Sequence, residues 1–302
     1  MSDTALLIKK ANKAGIIVPA FNVAHLPMTE AIIKAVRDTN SFALLEVSRP
    51  DWEKMGAQSF QAVYNEYKKY EDRNHVRLHL DHIPVIDEDN NLVDYRSIIE
   101  EALDLGYESV MIDASRLSLD DNIAKTREIA ELAHAKDVPV EAELGAVLGH
   151  EAGPPPPYEE LFQSGRGFTI PEEAERFARE SECDWLSVAI GNIHGSVSDA
   201  LKNQKKPEAR LNLAHLEHLW KITDIPLVLH GGSGVQQKYV LEAAVRGITK
   251  INVGTEIRQA YELSLEKDGN VEKAQEAVYT RVSEMIQDYY KIPDTKDIIM
   301  AG

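Results

Sequence analysis

Asp81 and His82 stand side by side at the end of an apolar-spaced run, Arg77-Leu78-His79-Leu80-Asp81-His82. They are a carboxylate able to move a proton and an imidazole able to bind a metal. Two further β-like runs end on histidine: residues 185–190 lead into Gly191-Asn192-Ile193-His194-Gly195, and 226–229 into His230-Gly231-Gly232-Ser233-Gly234. A single Asp-His pair at a strand end is commonly no more than a polar loop contact. Three imidazoles on one sheet edge can instead converge on a divalent cation and leave one coordination position open for substrate. Neutral imidazole suits Zn2+, and such a Lewis acid polarises the carbonyl and hydroxyl oxygens of a bound ketose, acidifying the adjacent carbon. Making or breaking a carbon-carbon bond beside a ketone needs that enolate stabilisation, a base for the carbon proton and an acid for the aldehyde oxygen. Asp81 and Glu151 are the carboxylates nominated for these proton transfers.

The elements that must position these groups alternate. Apolar β-like runs cover 17–23, 42–48, 76–81, 109–113, 138–143, 185–190, 226–230 and 249–253, with the three histidines closing three of them. Helical periodicity covers 28–38, 58–70, 95–105, 120–135, 171–181, 212–220 and 236–245, and a C-terminal helical region spans 256–290 with a break at Asp268-Gly269-Asn270. Ser118 with Asp121, and Thr169 with Glu172 beside Pro171, read as helix N-caps. Eight strand-helix units favour closure into a parallel (β/α)8 barrel, a TIM barrel forming a single domain over 1–302, with active-site groups at the strand ends. Asn22, Ser48, Asp81, Asp113, Glu143, His194, His230 and Asn252 fall at those ends.

The stretch 145–168 carries four consecutive prolines and several glycines and is read as one long irregular loop, functional or mobile. Gly231-Gly232-Ser233-Gly234 and Asn252-Val253-Gly254-Thr255 each precede a helix after the last two strands, the habitual phosphate position in this barrel.

The 302 residues suffice for a large core, and 43% hydrophobic with 27% charged residues argues against disorder. A formal charge of -17 argues against nucleic acid and anionic membranes as partners, so a phosphate substrate must be captured by local donors. The single Cys183 excludes an internal disulfide and a zinc-thiolate cluster within the chain. The N-terminus reads as an amphipathic helix rather than a signal peptide, no run approaches a membrane span, and the cytoplasm is the expected location.

Phe21-Asn22-Val23, Leu78-His79-Leu80-Asp81-His82, Val110 to Ser115, Glu141-Ala142-Glu143-Leu144-Gly145, Val188 to Gly191, Leu229 to Gly234 and Lys250-Ile251-Asn252-Val253 follow one another as in class II, zinc-dependent ketose-bisphosphate aldolases. Nearly the whole chain resembles that family. The resemblance implies a metal-dependent aldolase that reversibly cleaves a ketose (bis)phosphate into dihydroxyacetone phosphate and an aldehyde through a zinc-stabilised enediolate. It implies one catalytic zinc held by His82, His194 and His230, with Glu143 meeting the metal when it shifts. Asp81 would protonate the forming hydroxyl, and Glu151, on the loop, would be the base. Asn22, Ser48, Gly195, Gly231, Ser233, Asn252, Thr255 and Arg258 would bind substrate or its phosphates. A monovalent cation beside the phosphate and a homodimer or homotetramer are also implied.

The chain departs from the family at Leu148-Gly149-His150-Glu151-Ala152, at Ser196-Val197-Ser198 after His194-Gly195, at Ala114, at Glu46 where glutamine is frequent, and at Gly254. Arg49 is as open a candidate for a distal anion as Arg258, in the unusual segment Ser48-Arg49-Pro50-Asp51-Trp52. These departures keep open a sister aldolase acting on a modified sugar or sugar-acid phosphate, and a non-catalytic sugar-phosphate binding barrel.

Overall fold

The computed structural model describes residues 3–145, 158–192, 210–232 and 234–301. Eight parallel strands, β1 (Val18–Asn22), β2 (Ala43–Ser48), β3 (Val76–Pro84), β4 (Ser109–Asp113), β5 (Val140–Leu144), β6 (Trp185–Val188), β7 (Leu227–Leu229) and β8 (Ile248–Val253), close in sequence order into a barrel. The expected (β/α)8 barrel is thus the observed fold.

Around it, in chain order, run α1 (Asp3–Ala14), α2 (Met28–Asp38), α3 (Arg49–Glu53), α4 (Phe60–Tyr70), α5 (Tyr95–Leu105), α6 (Leu119–His134), α7 (Tyr158–Ser164) and α8 (Pro171–Ser181). They continue with α9 (Leu213–Thr223), α10 (Gln237–Ala244), α11 (Thr255–Asp268), α12 (Val271–Glu284), a π-helical turn (Met285–Tyr289) and α13 (Lys296–Met300). Gly269 caps α11 in the left-handed conformation that glycine adopts without a Cβ penalty, and this is the expected break in the C-terminal region.

Three expectations need correction. The stretch 145–168 is not irregular throughout, because Tyr158–Ser164 is helical. The Tyr158 hydroxyl docks that helix under β6, 3.0 Å from the carbonyl oxygens of Gly191 and Arg210. The rest of the loop, with Leu148, His150, Glu151 and Ala152, lies outside the described residues, as do His194, Gly195, Ser196 and Ser233. Thr169 caps nothing: Ile170 is the N-cap of α8, and the Thr169 hydroxyl donates to Leu144 O (2.6 Å) and accepts from Ala189 N (2.9 Å), tying β5 to the segment after β6. Ser118, by contrast, accepts from Asp121 N at 3.2 Å as expected. Finally, His82 does not close β3, which continues to Pro84.

Alternation along the strands fills the barrel in layers. At the N-terminal end, α1 lays Leu7, Ile8 and Ala11 against Val18, Leu44, Trp185 and Val228 in an apolar plug. Above it the filling turns polar, with buried Glu46, His79, Glu141 and Lys250. The C-terminal layer carries the candidate site.

Candidate active site

Adjacent residues of a regular strand point to opposite faces, so Asp81 and His82 can act together only if β3 departs from regularity. It does: the β3–β4 register shifts between Leu80 and Ile83, and His82 has φ +41°. A non-glycine residue in that region costs about 1–2 kcal/mol, which the surrounding contacts must offset. As a result Asp81 is buried, with Oδ1 accepting from Asn252 Nδ2 at 3.0 Å. His82 turns onto the His230 ring, their centroids 4.3 Å apart.

His82 Nδ1 lies 3.3 Å from Asp113 Oδ2 at the end of β4. His230 is fully buried between two carboxylates of β5, with Nδ1 2.8 Å from Glu143 Oε2 and Nε2 2.7 Å from Glu141 Oε1. Asn192 donates to His230 O (2.8 Å) and fixes the start of the loop after β7. Burial opposes protonation of His82, yet the Asp81 charge, the Asp113 hydrogen bond and the Glu143 charge prevail and hold its pKa up to about 10. Burial and the His82 charge oppose protonation of His230 as well, and its hydrogen bonds to Glu141 and Glu143 raise it nonetheless. Burial would raise Asp81, but the His82 and Lys250 charges overcome it and hold the carboxyl down at about 2. The carboxylates around the two imidazoles thus favour positive charge between them.

These residues fit a metal ion. One ligand atom each from Asp81, His82 and His230 lie within 4.8 Å of one another, and imidazole with carboxylate is the donor set zinc takes. Each imidazole already meets a carboxylate, the contact that orients a metal-binding histidine and sets its tautomer. Glu46, His79 and Asp81 form a second such group, but it already holds a cation: the Lys250 ammonium sits 3.1 Å from Glu46 and 3.8 Å from Asp81. It is no metal site.

The Lys250 network was not nominated from sequence. Lys250 Nζ lies 2.9 Å from Glu141 Oε2 and donates to Asn252 Oδ1 at 2.6 Å, and Trp185 Nε1 donates to Glu141 at 2.9 Å. Burial pushes the Glu46 carboxyl up to about 8, with the Asp81 charge adding to the shift and Lys250 opposing it. Glu141, nearest the ammonium, overcomes its own burial and is held low by Lys250 and the His230 hydrogen bond. Of the carboxyl groups around Lys250, Glu46 keeps the proton. One signal was available: Glu141 and Glu143, like Lys250 and Asn252, are two apart on a strand and so share the inward face.

The nominated binding residues divide. Gly231 follows β7 directly after His230, Thr255 opens α11, and a Cβ at Gly232 would come 2.6 Å from Ile251, so the loop after β7 packs directly on β8. Asn252 is committed to Asp81 and Lys250. Asn22 and Ser48 are both held by Asp51: its Oδ2 accepts from Ser48 N (2.8 Å), Ser48 Oγ (2.7 Å) and Asn22 Nδ2 (3.3 Å). Burial pushes Asp51 up to about 6 against these hydrogen bonds, and the Asp81 charge adds to the rise. Arg258 is paired with Glu262 (2.7 Å), and Arg49 with Glu53 (2.7 Å) and Asp87 (3.3 Å).

With this arrangement in view, the family can be stated. Residues 2–295 match the model of the class-II fructose-bisphosphate aldolase family. The chain belongs to that family. It is 34% identical over 273 residues to the fructose-bisphosphate aldolase of Geobacillus stearothermophilus, covering 88% of this chain and 86% of that one. It is 33% identical over 284 residues to the corresponding Streptococcus pyogenes serotype M3 enzyme, covering 90% and 85%. Among solved structures, that of the YdjI aldolase from Escherichia coli K12 superposes with a TM-score of 0.75 at 26% identity, over 95% of this chain and 97% of that chain. As a class II aldolase, the protein is a carbon-carbon lyase of carbohydrate metabolism. No helix among its described residues is long and apolar enough to cross a membrane.

Proposed function

We propose that this aldolase reversibly cleaves a ketose phosphate between C3 and C4, giving dihydroxyacetone phosphate and an aldehyde. The observation that carries the reading is the meeting of His82 and His230 at the barrel mouth with Asp81 and Glu143 beside them. His82 and His230, joined by His194 and with Glu143 adjacent, would hold a zinc ion, which when bound supplies Lewis acidity toward the ketose oxygens.

The protein's own groups account for the protons. Asp81, ionised at neutral pH and fixed by Asn252, takes the C4 hydroxyl proton in cleavage and returns it to the aldehyde oxygen in synthesis. Glu151 exchanges the C3 proton. The C3–C4 bond supplies the electron pair that remains with the dihydroxyacetone phosphate carbon, and protonation at C3 completes the balance. Gly195, Gly231, Ser233, Asn252 and Thr255 would surround the phosphate of that half, the glycines and the start of α11 offering backbone amides.

The test is hydrogen exchange of dihydroxyacetone phosphate in heavy water followed by NMR. Stereospecific exchange that a chelator abolishes, zinc restores and Glu151→Ala loses is expected. Zinc-loaded, folded protein that exchanges nothing overturns the proposal.

A further inference from the structure

The β1–β2 side of the mouth is built as a carboxylate wall. Ser48, the last residue of β2, pairs in register with Asp81 of β3, so what Ser48 holds lies next to the reacting carboxylate. It holds Asp51. That side chain is 5% exposed and takes the Ser48 amide, the Ser48 hydroxyl and the Asn22 amide nitrogen on one oxygen. The donors that strands β1 and β2 could offer an anion are thus occupied by the protein's own anion, which also fills the N-terminus of α3 as a capping box.

The nearby arginines are committed in the same way. Arg49 lies between Glu53 and Asp87, and Arg258 is held by Glu262, which also meets His25 Nε2 at 3.0 Å. Arg116, in the loop after β4, donates instead to the Asp87 carbonyl oxygen and to Asn90. A phosphate entering between β1 and β2 would meet Asp51, whose oxygen already takes the Ser48 and Asn22 donors, and like charges brought together in a partly desolvated site repel. A sugar hydroxyl would find a hydrogen-bond acceptor.

We propose that Asp51 is a specificity-determining residue: it admits an uncharged, hydroxyl-bearing aldehyde and disfavours a phosphorylated one, so that the preferred ketose carries a single phosphate, on the dihydroxyacetone half. This rests on the aldol reading above and names its substrate class.

The test runs the reaction in the direction of synthesis, with zinc-loaded protein, saturating dihydroxyacetone phosphate and either glyceraldehyde or glyceraldehyde 3-phosphate as acceptor. Proton exchange is followed in the same samples. Wild type should favour glyceraldehyde in kcat/KM by at least about tenfold, a preference that narrows as salt screens the repulsion. Asp51→Asn should move the ratio toward the phosphorylated acceptor by about tenfold or more while exchange continues. A capping role alone would lower both acceptors together. Should Asp51→Asn fail to fold, Asp51→Ser, which keeps a short acceptor at the same helical position, and the salt series on wild type give the same readout. Wild type that exchanges the proton yet takes glyceraldehyde 3-phosphate equally well or better, or takes neither acceptor, overturns the inference. Loss of exchange itself would instead overturn the aldol reading.

Discussion

The two sides of the barrel mouth use the same side chain to opposite ends. On the β3–β7 side, Asp113, Glu143 and Glu141 face imidazoles, from which a metal ion can displace a proton into solvent. On the β1–β2 side, Asp51, Glu53 and Asp87 face a serine, an asparagine and an arginine, which keep their protons at every accessible pH. A carboxylate thus builds a cation site where its partner can be exchanged, and a closed wall where it cannot. The reactivity proposed above belongs to the first side and the proposed selection to the second.

Substitutions should separate the two. The largest effect is expected at the reactive side: Asp81→Ala should lower cleavage by about 10²–10⁴-fold while zinc content, read by atomic absorption, stays near stoichiometric. Zinc lost together with activity would make Asp81 a ligand instead of the proton carrier. Next, Glu141→Gln leaves His230 in place but removes the charge on its second nitrogen. Zinc affinity should fall by about 10–100-fold in a chelator competition, with the acceptor preference unchanged. A change in acceptor preference would show that the two sides are not independent.

A further effect, read in stability and not in turnover or metal content, lies beneath both, at Glu46. Its folded pKa of about 8 stands above the ordinary 4.5, so the neutral form that the fold favours contributes fully below pH 4.5, and that contribution is lost as pH rises through 8. Glu46→Gln is fixed in the neutral form. Its melting temperature should gain on wild type between pH 4.5 and 8, each retained pKa unit being worth about 1.4 kcal/mol. A difference between the two that is flat with pH would mean that Glu46 is ionised beside Lys250.

How much of this was legible in the sequence depended on how local the cause was. Helices 28–38, 95–105 and 171–181 were read at their observed bounds, because periodicity and breakers along the segment itself decide them. The seven-residue α7 was not, since its docking comes from Tyr158 meeting Gly191 and Arg210, far along the chain. Thr169 misled for the same reason, its hydroxyl being claimed by Leu144 and Ala189 on other elements. In the site, the strand-end reading pointed to Asp81, His82, Glu143 and His230, which lie together in the fold although β3 runs on past His82 to Pro84. Lys250 and Glu141 stayed unassigned because a buried charge is intelligible only beside its partner, and theirs are on different strands. Asp51 was noticed only as part of an unusual segment. Nothing before the fold said that it would hold Asn22 and Ser48.

The irregularity in β3 has a consequence for how this chain can vary. Asp81 and His82 are neighbours in sequence and collaborators in space only because the strand carries a register shift between Leu80 and Ile83. Removing one residue there would restore strict alternation and send one of the two toward the surrounding helices. Side chains along this edge can be exchanged one at a time, each at its own cost. The number of residues cannot change, so at this strand the spelling is open to revision and the length is not.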